Sequence, residues 1–64
     1  MKANSNKKRF LVTERFVYDR SNFYRTNEKQ ATSMIALIQQ MKEENALEEE
    51  KSGIKFEIIK IETI

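Results

Sequence analysis

Apolar residues recur at helical spacing over several turns in one stretch of the chain, from Asn27 to about Asn45. Ala31, Met34, Ile35, Ile38 and Met41 form the stripe, with Leu37 on its flank. At about 100° per residue they fill an arc of roughly 160°, wide enough to touch more than one surface. Thr26 or Asn27 offers an N-cap, Glu28 suits the positive end of the helix dipole, and Asn27 with Gln30 has capping-box spacing. Ile38, at the centre of the stripe, is expected to be the main core residue of the helix, with Ala36 on the side that tolerates a charge. The stripe then gives way to an acidic run of Glu43, Glu44, Glu48, Glu49 and Glu50, in which Leu47 points away from the core. Carboxylates at the negative end of a helix oppose its dipole, so the last turns are expected to fray or project into water. Lys51-Ser52-Gly53 closes the segment, the single glycine standing where a left-handed residue is wanted.

The flanking segments alternate instead. Phe10 to Tyr18 is rich in aromatic and β-branched residues and predicts a strand. One face carries Phe10, Val12, Phe16 and Tyr18, interrupted by Glu14; the other carries Leu11, Thr13, Arg15 and Val17. Asp19-Arg20-Ser21-Asn22 supplies turn chemistry, and Phe23 to Thr26 makes a short second strand that completes a hairpin. A third strand runs from Ile54 to about Glu62, but its phase breaks, with Ile54, Phe56 and Ile58 on one face and Ile59 and Ile61 on the other. Either a bulge shifts the register after Ile58 or both faces are covered.

Strand, strand, helix, strand with a right-handed crossover predicts an α+β fold: a single ββαβ domain over residues 9–64, with a three-stranded antiparallel sheet in order 2-1-3 and one long helix packed on one face. The polar, basic residues 1–8 are expected to be a disordered tail. With the helix over Phe10, Val12, Phe16, Ile54, Phe56 and Ile58, the opposite face would show Leu11, Val17, Tyr24, Ile59 and Ile61 around Arg15, Lys55 and Glu57, a sizeable apolar patch.

Composition sharpens this picture in two ways. A chain of 64 residues buries only about 60% of the surface its unfolded form exposes, so its core is marginal. With no Cys and no His, neither a disulfide nor a common structural zinc site can reinforce it, and no cofactor is expected. Self-association remains, and a homodimer is expected, using Leu11, Val17, Ile59 and Ile61. No signal peptide or long apolar run is evident, which predicts a soluble cytoplasmic protein without a membrane partner. The net charge of +2 hides an asymmetry. Residues 1–30 hold eight Lys and Arg against three acids, or +5, and residues 31–64 hold four Lys against seven Glu, or −3. Such a molecule can meet an anionic partner with one end, or its own opposite end.

Catalytic chemistry is poorly supplied. Without His or Cys, a Ser nucleophile lacks its ordinary base, and Glu14 among apolar neighbours is the one carboxylate with an unusual setting. The very small tautomerases place a proline after the initiator Met, and this chain has none. A non-enzymatic protein with no small-molecule substrate is expected.

Nucleic-acid binding has more material. Arg15, Arg20 and Arg25 share the hairpin, Lys7, Lys8 and Arg9 precede it, and Tyr18, Phe23 and Tyr24 are interleaved with them. Over Phe10 to Lys42 this resembles the small sheet-plus-helix DNA-binding domains of phage integrases, which implies contact with nucleic acid through the hairpin, although a strand follows the helix here. In size and in its Lys, Ile, Asn and Glu usage, the whole chain resembles short proteins of bacteriophages and mobile elements. That resemblance implies a stoichiometric binder that inhibits or modulates a host protein, defence proteins included, in the host cytoplasm. Tyr24 and the acidic Glu48, Glu49 and Glu50 are the expected contacts with such a partner, and a nucleic-acid-binding regulator is the alternative.

Overall fold

The computed structural model describes residues 7–64. Of the expected tail, residues 1–6 lie outside the described residues, Lys7 precedes the first strand and Lys8 opens it. The elements are β1 (Lys8–Tyr18), β2 (Ser21–Ala31), α1 (Met34–Ser52) and β3 (Phe56–Thr63). The sheet order is β2-β1-β3, antiparallel at both contacts, so the ββαβ topology and strand order are as the pattern predicts.

β1 and β2 join through a two-residue turn, Asp19-Arg20, with φ of 53° and 65°. Left-handed conformations at both central positions are what a hairpin's right-handed twist requires, and Asp tolerates one far better than Arg does. From this turn the pairing runs without a break from Tyr18↔Ser21 to Lys8↔Ala31. β2 is therefore much longer than the expected Phe23–Thr26. Thr26, Asn27, Glu28 and Gln30, which look like a helix start, pair instead with Thr13, Val12, Leu11 and Arg9 of β1. Eleven residues of β1 offer backbone groups along that edge, and satisfying all of them outweighs the few helical hydrogen bonds a first turn would add.

The helix accordingly starts later. Ser33 caps it, its hydroxyl accepting from the Ala36 N–H at 3.1 Å, and the Leu37 N–H donates to the Ser33 carbonyl at 3.0 Å. At the other end Gly53 takes φ 76° and ψ 5°, its N–H donating to the Glu49 carbonyl, so the glycine does terminate the helix. The helix does not fray before it: the acidic turns through Ser52 are helical.

The core lies between α1 and one face of the sheet and comprises Phe10, Val12, Ala31, Leu37 and Met41, with Ala36, Ile58 and Ile61 packed against it. Leu37 is fully buried and Ile38 only half-buried, while Ile35 is 72% exposed. The helix is thus turned by roughly 70° from the orientation its stripe predicts. Ala36 packs against the core cluster instead of facing a side free for charge, and Ala31 reaches the core from the end of β2.

β3 resolves its broken phase with a bulge. Lys60 pairs with Thr13 and Ile58 with Glu14, which leaves Ile59 as the extra residue. Ile61 pairs with Val12 and turns onto the helix face, whereas Ile59 stays 48% exposed. Of the two alternatives left open by the sequence, the bulge is the one adopted.

This helix phase makes a direct test. Leu37→Ala is expected to cost about 2–5 kcal/mol and Ile38→Ala clearly less, as read from urea midpoints. Equal losses would contradict the orientation described.

Candidate functional site

Arg25 reaches all the other elements from β2. Its Nε donates to Glu14 of β1 at 3.0 Å, its Nη2 and Nη1 donate to Glu48 of α1 at 2.7 and 3.3 Å, and its guanidinium carbon lies 3.7 Å from the ring centroid of Phe56 on β3. Glu14, 1% exposed, is the buried charge of this fold, and its second oxygen accepts from Asn45 Nδ2 at 2.6 Å. One turn earlier on the helix, Glu44 accepts from Lys29 of β2 at 3.0 Å. The hydrogen bond to Glu48 is the foremost reason why the Arg25 guanidinium is held charged above its already high ordinary value, with burial opposing it. The same bond holds the Glu48 carboxyl below the usual carboxylate range.

Both helix carboxylates draw α1 toward the β2 side, where its backbone comes closest to the sheet. A helix about 10 Å across covers about two strands spaced about 4.8 Å apart, so one of three must be left open. Here it is β3. Between α1 and β3 runs a groove of about 520 Å³, with Ile38 and Ala46 as one wall and Phe56, Ile58 and Ile61 as floor. Lys42, Glu49 and Lys55 stand around it. Asn45 also borders it, and its Oδ1 is buried without a hydrogen-bond partner. The wide apolar arc of the helix is real but divided: Leu37 and Met41 face the sheet, and Ile38 faces the groove.

The back of the sheet is less apolar than its sequence suggests. Arg9 donates to Glu28 at 2.7 and 3.1 Å, Thr13 and Thr26 share a hydroxyl hydrogen bond at 3.1 Å, and Arg15 pairs with Glu57. Lys60 and Glu62 pair within their own strand at 3.5 Å. Leu11, Val17, Ile59 and Ile61, expected as one self-association surface, do not share a face. Leu11 and Val17 alternate onto the back, Ile59 sits at the bulge, and Ile61 floors the groove.

Nor do the other expected sets converge. Tyr24 is exposed on the back of the sheet, whereas Glu48 is bound to Arg25 on the front, Glu49 borders the groove and Glu50 is exposed farther round the helix. Among the basic residues, Arg15 lies on the back against Glu57, Arg20 at the hairpin tip and Arg25 in its clamp on the front. Lys7 and Lys8 are exposed at the far end of the hairpin from Arg20. Exposed aromatic surface gathers at the tip, where Tyr18 and Phe23 lie 6.5 Å apart and Phe23 stacks on Phe16 at 5.6 Å.

Among the described residues no group of three His, Cys, Asp or Glu side chains is arranged to hold a metal ion, and no helix is long and apolar enough to cross a membrane. What fold and site define is a small α+β domain with an open apolar groove beside an edge strand. The chain matches no protein-family model, no curated protein and no solved structure.

Two outcomes follow from the Arg25 clamp. Arg25→Met strands the Glu14 charge in the core and is expected to cost about 3–5 kcal/mol in urea denaturation, and adding Glu14→Leu should recover most of it. If the double variant is no more stable than the single, the buried carboxylate is not the source of the loss. The second outcome concerns acid. A carboxyl whose native pKa lies below its unfolded value stabilises the fold above the unfolded pKa, and this contribution disappears as pH falls through the native one. Glu48 is such a group, so stability should fall below pH 4.5, and Glu48→Gln should flatten that limb in a titration followed by circular dichroism.

Proposed function

We propose that this chain is a small non-catalytic protein-binding module that acts as a homodimer and occupies a host protein in the manner of phage-type inhibitors, defence proteins being among the fitting targets. The observation that carries this reading is the open groove between α1 and β3, with an apolar floor of Phe56, Ile58 and Ile61 and charged residues around it. A concave apolar surface with a few charges at its margin suits an apolar protein segment better than it suits a phosphate backbone. Size and composition support the phage-type part of the reading, and a host-cytoplasmic setting goes with it.

The nucleic-acid alternative has less behind it. Arg9, Arg15 and Arg25, three of the cations a basic ribbon would need, are each neutralised by a carboxylate of the same chain. Exposed aromatics at the hairpin tip keep that alternative worth one control.

Ala46 lies on the exposed wall of the groove, so Ala46→Arg should fill it while the domain stays folded by circular dichroism. Tagged wild type is expected to capture a host protein from lysate in a nuclease-resistant manner, and Ala46→Arg is expected to lose it. Equal capture by both would sink the groove reading, and capture abolished by nuclease would favour the alternative.

A further inference from the structure

β3 is an edge strand, paired with β1 on one side only, and the groove lies along it. Its charges are arranged with an internal symmetry. Lys55-Phe56-Glu57-Ile58, read forward, faces Glu62-Ile61-Lys60-Ile59, read backward, so that an antiparallel copy of the strand meets each positive residue with a negative one and each apolar residue with an apolar one. The pairs are Lys55 with Glu62, Phe56 with Ile61, Glu57 with Lys60, and Ile58 with Ile59, each occurring twice about a two-fold axis.

The bulge makes this register geometrically sound. In a regular strand, residues whose numbers add to an odd total point to opposite faces, and such partners could not meet. The extra residue at Ile59 corrects the parity. Glu57, Lys60 and Glu62 pair with Arg15, Thr13 and Leu11 on the back of the sheet, while Lys55, the residue before β3, stands at the rim of the groove. Phe56 and Ile61 both face the groove. The Glu57–Lys60 pairs therefore fall on the back and the Phe56–Ile61 pairs on the front, while Lys55, just before the strand, meets Glu62 at each end of the seam through its long side chain. Sliding the second copy by two residues sets Glu57 against Glu62 in one direction and Lys55 against Lys60 in the other, so neighbouring registers are penalised by like charges. Lysines on an edge strand ordinarily discourage foreign strands, and in the self-paired register each of them faces a carboxylate of the partner copy, Lys60 in addition to its contact with Glu62 in its own strand.

We propose that the occupant of the β3 edge is a second copy of this chain, joined antiparallel about the Ile58–Ile59 centre to make one six-stranded sheet. A two-fold axis perpendicular to that sheet keeps both helices on the same face. The two grooves then run together into one trough, floored by Phe56, Ile58 and Ile61 of both copies and walled by the two helices. Among the described residues only five apolar side chains are buried, and a chain without Cys has no disulfide to compensate, which gives a constant partner a clear energetic role. This inference rests on reading the groove side as a protein-binding surface, and it names the first protein bound there.

The test is a charge swap read by sedimentation equilibrium. Wild type is expected to dimerise at micromolar concentration. Lys55→Glu alone and Glu62→Lys alone should each weaken the homodimer by about tenfold or more, because each sets like charges opposite each other twice per dimer. Mixing the two single variants should restore association as a heterodimer, since each carboxylate of the first chain, introduced or native, then meets an ammonium of the second. The doubly swapped chain should dimerise like wild type. Circular dichroism on each variant confirms that it is folded. Single variants that dimerise as well as wild type, or a mixture that gains nothing, would overturn the register. A wild type that remains monomeric would overturn the self-pairing itself. That failure is distinct from failure of the groove reading, which is judged separately by the loss or retention of host-protein capture in Ala46→Arg.

Discussion

One guanidinium joins all four elements of this domain. Arg25 leaves β2, bonds the buried Glu14 on β1, takes the carboxylate of Glu48 from α1 and covers the ring of Phe56 on β3. A buried ion pair of this kind contributes little net stability compared with apolar residues of the same shape, because desolvation offsets most of the attraction. Its effect is positional. Apolar surface is indifferent to where along its width a helix settles, whereas a carboxylate bonded by a guanidinium has one place to be. Glu48 and Glu44 together hold the helix toward β2, and the uncovered groove over β3 follows from that placement.

The charge asymmetry of the chain acquires a physical meaning in the same way. Arg15, Arg25 and Lys29 belong to its basic half, and Glu57, Glu48 and Glu44 to its acidic half; these residues meet in pairs across the fold. A polarity that in the sequence suggests an anionic partner is in large part consumed internally. The surface left open after this pairing is apolar at the groove and aromatic at the hairpin tip.

Topology was legible in the sequence because its signals are strong: alternation in Phe10 to Tyr18, a lone glycine at the helix end, and an apolar final segment. The boundary between β2 and α1 was not legible, because β2 beyond Thr26 is a polar edge strand without apolar alternation and looks like the polar first turn of a helix. Ser33 is as good a cap as Asn27, and only the length of β1 decides between them. The helix orientation was missed for a different reason. Met34, Ile35 and Ile38 make an apolar stripe whose centre points toward the groove, and nothing local distinguishes that direction from the core. The groove residues Lys42, Asn45 and Ala46 carried a usable signal, since with Ile35, Ile38 and Glu49 they continue one helical face at three- and four-residue spacing. Of the sites proposed from sequence, Ile61 and Glu49 reached the groove, and the rest were dispersed by the pleat of the sheet or bound by partners within the chain.

The direct opposition of Glu14 and Arg25 across the β1–β2 hairpin bears on the order in which charge and water part company. The two residues are brought together by the Asp19-Arg20 turn and its strand pairing alone, eleven positions apart in sequence, with no help from helix or third strand. Hairpin closure is among the faster events available to a chain, on the order of microseconds. A helix docking on a hairpin formed in this way would dehydrate a carboxylate already in the company of its counter-ion, with Asn45 and Glu48 added to an existing pair. A lone anion need never be stripped of water, so the most expensive group in the core is also the one assembled by the most local contact.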